Sequence, residues 1–112
     1  MPYDEKLAMR VRGTLARYDC VSEKKMFGGI CFMLHGNMCL GVLREELIVR
    51  TGPKAYAKAL AMPHARPMDF TGRVMKGFVV VGPDGWRGDD DFARWVEMGH
   101  SFAVSLPPKG TK

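Results

Sequence analysis

The spacing of apolar residues divides the chain into helical and extended stretches. After Pro2 and Asp4, the residues Leu7, Val11, Leu15 and Tyr18 recur at helical intervals, with Arg10, Arg12 and Arg17 left mainly to solvent, so an amphipathic first helix is predicted. From Val21 the period shortens to two: Val21, Glu23 and Lys25 alternate with Ser22, Lys24 and Met26, which predicts a strand. Phe27 then leads into Gly28-Gly29, where paired glycines permit a bend or bulge. Gly36-Asn37 stands between two apolar runs and predicts a hairpin with a type II′ turn, glycine at its first central position. That register sets Ile30, Phe32, Leu34, Cys39 and Leu43 on one face and Cys31, Met33, Leu40 and Val42 on the other. Both faces are apolar and both need cover. It can come from the chain's own helices and a strongly bent sheet, or from a second subunit; because one chain has few helices to spend, a homodimer is expected.

Further along, Arg44-Glu45-Glu46 predicts a second turn and Leu47 to Arg50 a further strand. Thr51-Gly52-Pro53 reads as strand exit and helix start, with Ala55, Tyr56, Ala59 and Leu60 on one side of a short helix and Lys54 and Lys58 on the other, until Pro63 stops it. His64 to Gly72 is expected to be an ordered loop pinned by Met68 and Phe70. Val74 to Val81 returns to strand and ends in a turn at Gly82-Pro83-Asp84-Gly85. In the last element Phe92, Trp95, Val96, Gly99, Phe102, Ala103 and Leu106 repeat at helical spacing behind Asp89, Asp90 and Asp91, read as capping acids, and Pro107-Pro108 ends it. The order predicts a single α+β domain over 1–112, a mainly antiparallel, strongly bent sheet of about five strands with helices at the N-terminus, middle and C-terminus.

Composition narrows the class. Of 112 residues 46% are hydrophobic and 26% charged, the profile of one folded domain that needs no metal or disulfide staple. No apolar run approaches the roughly 20 residues that span a bilayer, and Met1 to Lys6 carries no apolar stretch, so a cytoplasmic protein with no membrane partner is expected. The net charge of +5 is localised: between Arg50 and Val81 stand Arg50, Lys54, Lys58, Arg66, Arg73 and Lys76 against Asp69 alone, which accounts for the whole excess. A localised positive field steers acidic surfaces or phosphate backbones. The three cysteines, Cys20, Cys31 and Cys39, have neither disulfide nor zinc spacing and are read as small buried hydrophobes, with Cys20 the most exposed thiol.

The search for chemistry returns little. Gly28-Gly29 lacks the spacing of a phosphate-binding loop, His35, His64 and His100 share no ligand spacing, and capping explains the three aspartates without a magnesium ion. No catalytic residue, metal or cofactor is predicted; a thiol or small-molecule enzyme would need a deep polar pocket around Cys20 or His64. Cations beside Tyr56, Phe70 and Phe78 raise single-stranded nucleic acid, but periodicity assigns Tyr56 and Phe78 to the core and leaves only Phe70 for stacking. Met26, Met33, Met38, Met68 and Met75 together could form an adaptable contact surface.

Several stretches carry a resemblance: Lys25-Met26-Phe27-Gly28-Gly29, the Gly36-Asn37-Met38 hairpin, Arg50-Thr51-Gly52, and Arg66-Pro67-Met68-Asp69-Phe70-Thr71-Gly72-Arg73-Val74-Met75-Lys76-Gly77. The chain resembles the N-terminal domain of TfoX/Sxy proteins from Tyr3 to Leu106-Pro107, with Val74 where many relatives show proline. The resemblance implies an α+β fold and a non-enzymatic regulator of natural DNA competence, acting with a cyclic-AMP receptor type transcription factor. Full-length members add a helical C-terminal domain, so this chain is read as a stand-alone N-terminal domain. The resemblance offers no catalytic residues. On the sequence, the partner-binding candidates are Lys24, Lys25, Phe27, Gly28, Gly29, Arg50, Arg66, Phe70, Arg73 and Lys76, with direct nucleic-acid binding through residues 50–81 as the alternative.

Overall fold

The computed structural model describes residues 3–18, 21–26, 28–70 and 72–107, at 26 and 70 the backbone alone. Helix α1 (Glu5–Leu15) starts at Asp4, whose carboxylate accepts from the amides of Lys6 and Leu7 at 2.8 and 3.1 Å. A meander follows: β1 (Val21–Met26), β2 (Gly29–Leu34), β3 (Asn37–Leu43) and β4 (Glu46–Arg50). Helix α2 (Gly52–Leu60) leads to β5 (Ala65–Phe70) and β6 (Arg73–Val81), and the chain continues through a single helical turn, α3 (Pro83–Trp86), into α4 (Asp89–Val104). The strand order is β1-β2-β3-β4-β6-β5, with every neighbouring pair antiparallel. The α+β class is as the sequence predicts; among the described residues the sheet has six strands.

The additional strand is β5, expected as a loop. Pro67 cannot donate to a ladder and is confined to sheet edges or bulges; here it lies on the outermost strand, beside a register shift between Pro67 and Met68. The signal at 82–85 resolves as α3 rather than a turn. Proline is tolerated in the first turn, and Gly85 supplies room, since a Cβ there would come within 2.6 Å of Val81 Cγ1.

The β2–β3 hairpin turns one residue earlier than predicted. Its turn residues are His35 and Gly36, with φ of 51° and 82°, so the turn is type I′ rather than II′. Histidine is one of the few residues besides glycine that enter this left-handed region with any frequency. Asn37 instead begins β3, buried, with its Nδ2 donating to the Pro107 carbonyl at 2.9 Å. Met33 pairs with Met38 and Phe32 with Leu40, which leaves Cys39 as the extra residue of a β-bulge. The bulge moves Leu40 and Val42 onto the face of Ile30 and Phe32 and sends Leu43 to the other, reversing three predicted positions. Cys31 and Cys39 do point opposite ways, into different clusters of side chains.

One face of the sheet carries the helices. The rows Ile30-Val42-Leu47-Val81 and Phe32-Leu40-Val49-Val79 run across it and meet Leu7, Val11 and Leu15 of α1, Ala59 of α2, and Phe92, Trp95 and Val96 of α4. Helix α4 lies directly on β3, because a Cβ at Gly99 would fall 2.6 Å from the Cys39 carbonyl oxygen. Trp95 Nε1 donates to the Gly85 carbonyl at 3.1 Å, so the largest buried side chain also satisfies its polar atom. Arg10, predicted to face solvent, is drawn in: it lies 4.1 Å over the Phe92 ring and donates to the Trp86 and Arg87 carbonyls at 3.1 Å and to Asp89 at 2.8 Å. The three aspartates occupy the first turn of α4 and favour its dipole, but no side-chain capping bond forms at its N-cap, Gly88.

The opposite face holds a second apolar cluster, Ile48, Met68 and Val80 with half-buried Met38, Leu43, Met75 and Phe78, to which no helix contributes among the described residues. Strands β2 and β5 are four steps apart in the sheet, about 19 Å if it were flat at ~4.8 Å per step. Yet Gly29 and Cys31 of β2 and Met68 of β5 wall a single cavity. The sheet therefore curls toward this side, and the chain itself provides part of the cover that the second apolar face requires.

Candidate functional site

The hollow of the curled sheet is a cavity of about 70 Å³. Its walls come from five strands: Cys31 of β2, Met38 and Leu43 of β3, Ile48 of β4, Met68 of β5, and Met75 and Phe78 of β6. Carbon and sulfur line it, and among the described residues no polar side chain belongs to its lining. Gly29 closes one end, where any side chain would meet the Val42 carbonyl oxygen at 2.3 Å. The far wall depends on a bulge in β6. Val79 pairs with Pro67 and Met75 with Met68, so Lys76, Gly77 and Phe78 have no counterpart on β5. Gly77 takes φ of 89°, a conformation other residues reach only under strain. Its carbonyl is held by the Thr51 amide at 2.7 Å and by Thr51 Oγ1 at 3.1 Å. This clamp at the start of α2 sets the bend that brings Met68 and Met75 over the hollow.

Beside the cavity lies a polar pocket of about 130 Å³ that shares Leu43, Ile48 and Met68 with it and adds Arg44, Glu46, Arg66 and Asp69. Arg66 and Glu46 form an ion pair, Arg66 the more exposed of the two. Two wider surface hollows, of about 470 and 420 Å³, lie around Tyr3, Arg44 and Glu45 and around Pro53, Lys54 and Phe102.

Of the sequence candidates, Gly29 lines the cavity and Arg66 the pocket beside it. Lys24 stands opposite Cys31 and so on the concave face, whereas Lys25 stands opposite Ile30 and belongs to the helix side. Gly28 turns the chain at φ 78° and Gly29 lines the cavity. Half-buried Arg50 pairs with Phe78 and holds its guanidinium 5.5 Å from that ring and 5.2 Å from Phe102. Arg66 stands opposite Val80, while Arg73 and Lys76 are exposed on β6 on either side of Met75. Phe27, Cys20 and the Phe70 side chain lie outside the described residues. Phe78, read from periodicity as core, is a half-buried wall of the cavity. The partner-binding candidates lacked Cys31, Met38, Ile48, Met68 and Met75; of these Met38, Met68 and Met75 belong to the methionine contact surface raised by the sequence, whereas nothing in the sequence singled out Cys31 or Ile48.

The described thiols are poor nucleophiles. Burial pushes the Cys39 thiol up to about 12. Burial also raises that of Cys31, against the opposing charge of Lys24. His64 is exposed in the turn before β5 at φ 68°, and His100 stacks on Tyr18 at 3.8 Å. Among the described residues no three His, Cys, Asp or Glu side chains are grouped to hold a metal ion. What the concave face offers chemically is a binding surface: an apolar floor with Lys24, Arg44, Arg50, Arg66 and Arg73 around it, against Glu46 and Asp69.

Among comparisons with known proteins, the family model for the TfoX N-terminal domain matches residues 13–103 of the 112, a span that includes every wall of the cavity and every candidate contact residue. No curated protein matches the chain.

Proposed function

Because the chain belongs to the TfoX N-terminal domain family, we propose that it is a competence-related regulatory domain that works by binding a protein, not by catalysis, with a cyclic-AMP receptor type transcription factor as the partner the family implies. The observation that carries this reading is the concave face: an apolar floor over which no helix lies among the described residues, bordered by Lys24, Arg44, Arg50, Arg66 and Arg73 against Glu46 and Asp69. A surface of that kind favours an acidic protein surface, with its charge setting association rate and salt dependence. No helix among the described residues is long and apolar enough to cross a membrane, and the cytoplasm, where such a transcription factor acts, is the proposed location.

The test mixes the chain with the transcription factor and follows binding as salt is raised. Replacing Arg66, Arg73 and Lys76 together by Ala is expected to leave the fold intact and to weaken binding, most strongly at low salt. Equal binding by wild type and triple variant at low salt would refute the proposal. Direct nucleic-acid binding is the competing outcome: a gel shift by the chain alone, lost by orders of magnitude as salt rises, would replace the protein-partner reading.

A further inference from the structure

We infer that the cavity between Cys31, Met38, Met68 and Met75 is a socket for one aliphatic side chain carried on a short acidic segment of the partner. This rests on the protein-binding reading above and specifies what is recognised. Size decides the first part. A cavity of about 70 Å³ is roughly half the ~150 Å³ void that accepts benzene and far below the ~300 Å³ at which metabolite pockets begin. It has room for the end of a leucine, isoleucine or methionine, and a phenyl ring is too large for it. Chemistry decides the second part. Among the described residues no buried side-chain polar atom lacks a partner, so an entering group finds nothing to hydrogen-bond and must be apolar.

The walls come from five strands of one sheet rather than from a loop, so the socket exists before the partner arrives and little ordering accompanies binding. Three of the walls are methionines, whose unbranched thioethers adjust to the shape of the group that enters. The charge around the opening decides the third part. The polar pocket that shares Leu43, Ile48 and Met68 with the socket presents Arg44 and Arg66 against Glu46 and Asp69, with Arg66 paired to Glu46, and the excess of positive charge comes from Lys24 opposite Cys31 and from Arg73 two residues before Met75. In an extended segment, residues two apart lie on one side about 7 Å from each other. An acidic residue within two positions of the aliphatic anchor would therefore come within reach of the cations beside the socket, Arg44 foremost, while the anchor fills it.

The test is selection of a random linear-peptide display library on the immobilised full chain, followed by titration of a synthetic copy of an enriched sequence. Enriched peptides should pair Leu, Ile or Met with Asp or Glu within two positions. The titrating peptide should bind Cys31→Leu, which pushes a larger apolar side chain into the socket, about tenfold more weakly, the effect of losing a single good anchor. Met68→Lys should bind no better, and circular dichroism should show both variants folded. Enrichment of sequences without an aliphatic anchor, no enrichment at all, or equal affinity for Cys31→Leu would overturn the inference. So would a dimer of the chain alone that Cys31→Leu dissociates, since the socket's occupant would then be a second copy. If Arg66→Ala/Arg73→Ala/Lys76→Ala loses transcription-factor binding while Cys31→Leu keeps it, the socket fails and the protein-binding reading stands; if neither variant affects binding, both fail.

Discussion

The two faces of the sheet are built from alternate residues of the same strands and differ in how they are filled. On the helix side Trp95, Phe32, Leu7 and Leu40 are fully buried, and Gly99 lets α4 approach the backbone of β3. On the concave side Met38, Met75 and Phe78 are half-buried around a void, with a charged pocket of Arg44, Arg66, Glu46 and Asp69 beside it. Close-packed branched and aromatic side chains specify one arrangement, whereas thioethers tolerate several. The contrast separates a face that determines the fold from a face free to meet something else.

The largest effect should come from Trp95→Ala, which removes a fully buried ring and its bond to Gly85; a loss of about 3–5 kcal/mol in urea denaturation is expected. Gly99→Ala should cost about 1–3 kcal/mol, because the backbone of Cys39 must move. Met75→Leu, a volume-conserving change at the cavity, should cost less than about 1.5 kcal/mol. Should the methionine change destabilise as much as the tryptophan change, the two faces are one core and the contrast is wrong.

Titration sharpens the same distinction. The folded state holds the Cys39 proton up to about 12, against an ordinary 9.0, so this contribution to stability is complete below pH 9 and is lost as pH climbs toward 12. Melting curves across that window should fall more steeply for wild type than for Cys39→Ala; parallel curves would show that the thiol is not buried. The smallest effect belongs to the exposed pair of Arg12 and Glu23, at 2.5 and 2.9 Å. The hydrogen bond from Arg12 holds the Glu23 carboxyl below its ordinary 4.5, so the pair stabilises above that pH and its contribution is lost as pH falls through the lowered value. Arg12→Ala should cost less than about 1 kcal/mol near neutrality, measured by urea denaturation.

Legibility followed the range of the deciding contacts. Helices α1 and α4 could be read because each repeats its apolar positions over several turns, and the strands of the meander because their alternation is local. Strand β5 could not: Arg66, Pro67 and Asp69 break its alternation, and only its place at the sheet edge makes the proline tolerable. The hairpin frame was missed by one residue because Gly36-Asn37 fits a turn in isolation, while the choice was made by Asn37 reaching Pro107 at the far end of the chain. Of the site, the cations and glycines were visible as types. The hollow was not, since it needs the bulge at Gly77 and its clamp by Thr51 to bring five strands around one point.

The account is tested most directly by methionine methyl NMR of the full chain as the cyclic-AMP receptor type factor is added. Met38, Met68 and Met75 wall the cavity, and Met9 on α1 and Met98 on α4 report the helix side of the same molecule. Shifts or broadening at the first three, with Met9 and Met98 unchanged, is the predicted result. Shifts at Met9 and Met98 with the cavity methyls unmoved would place recognition on the helices and contradict the account.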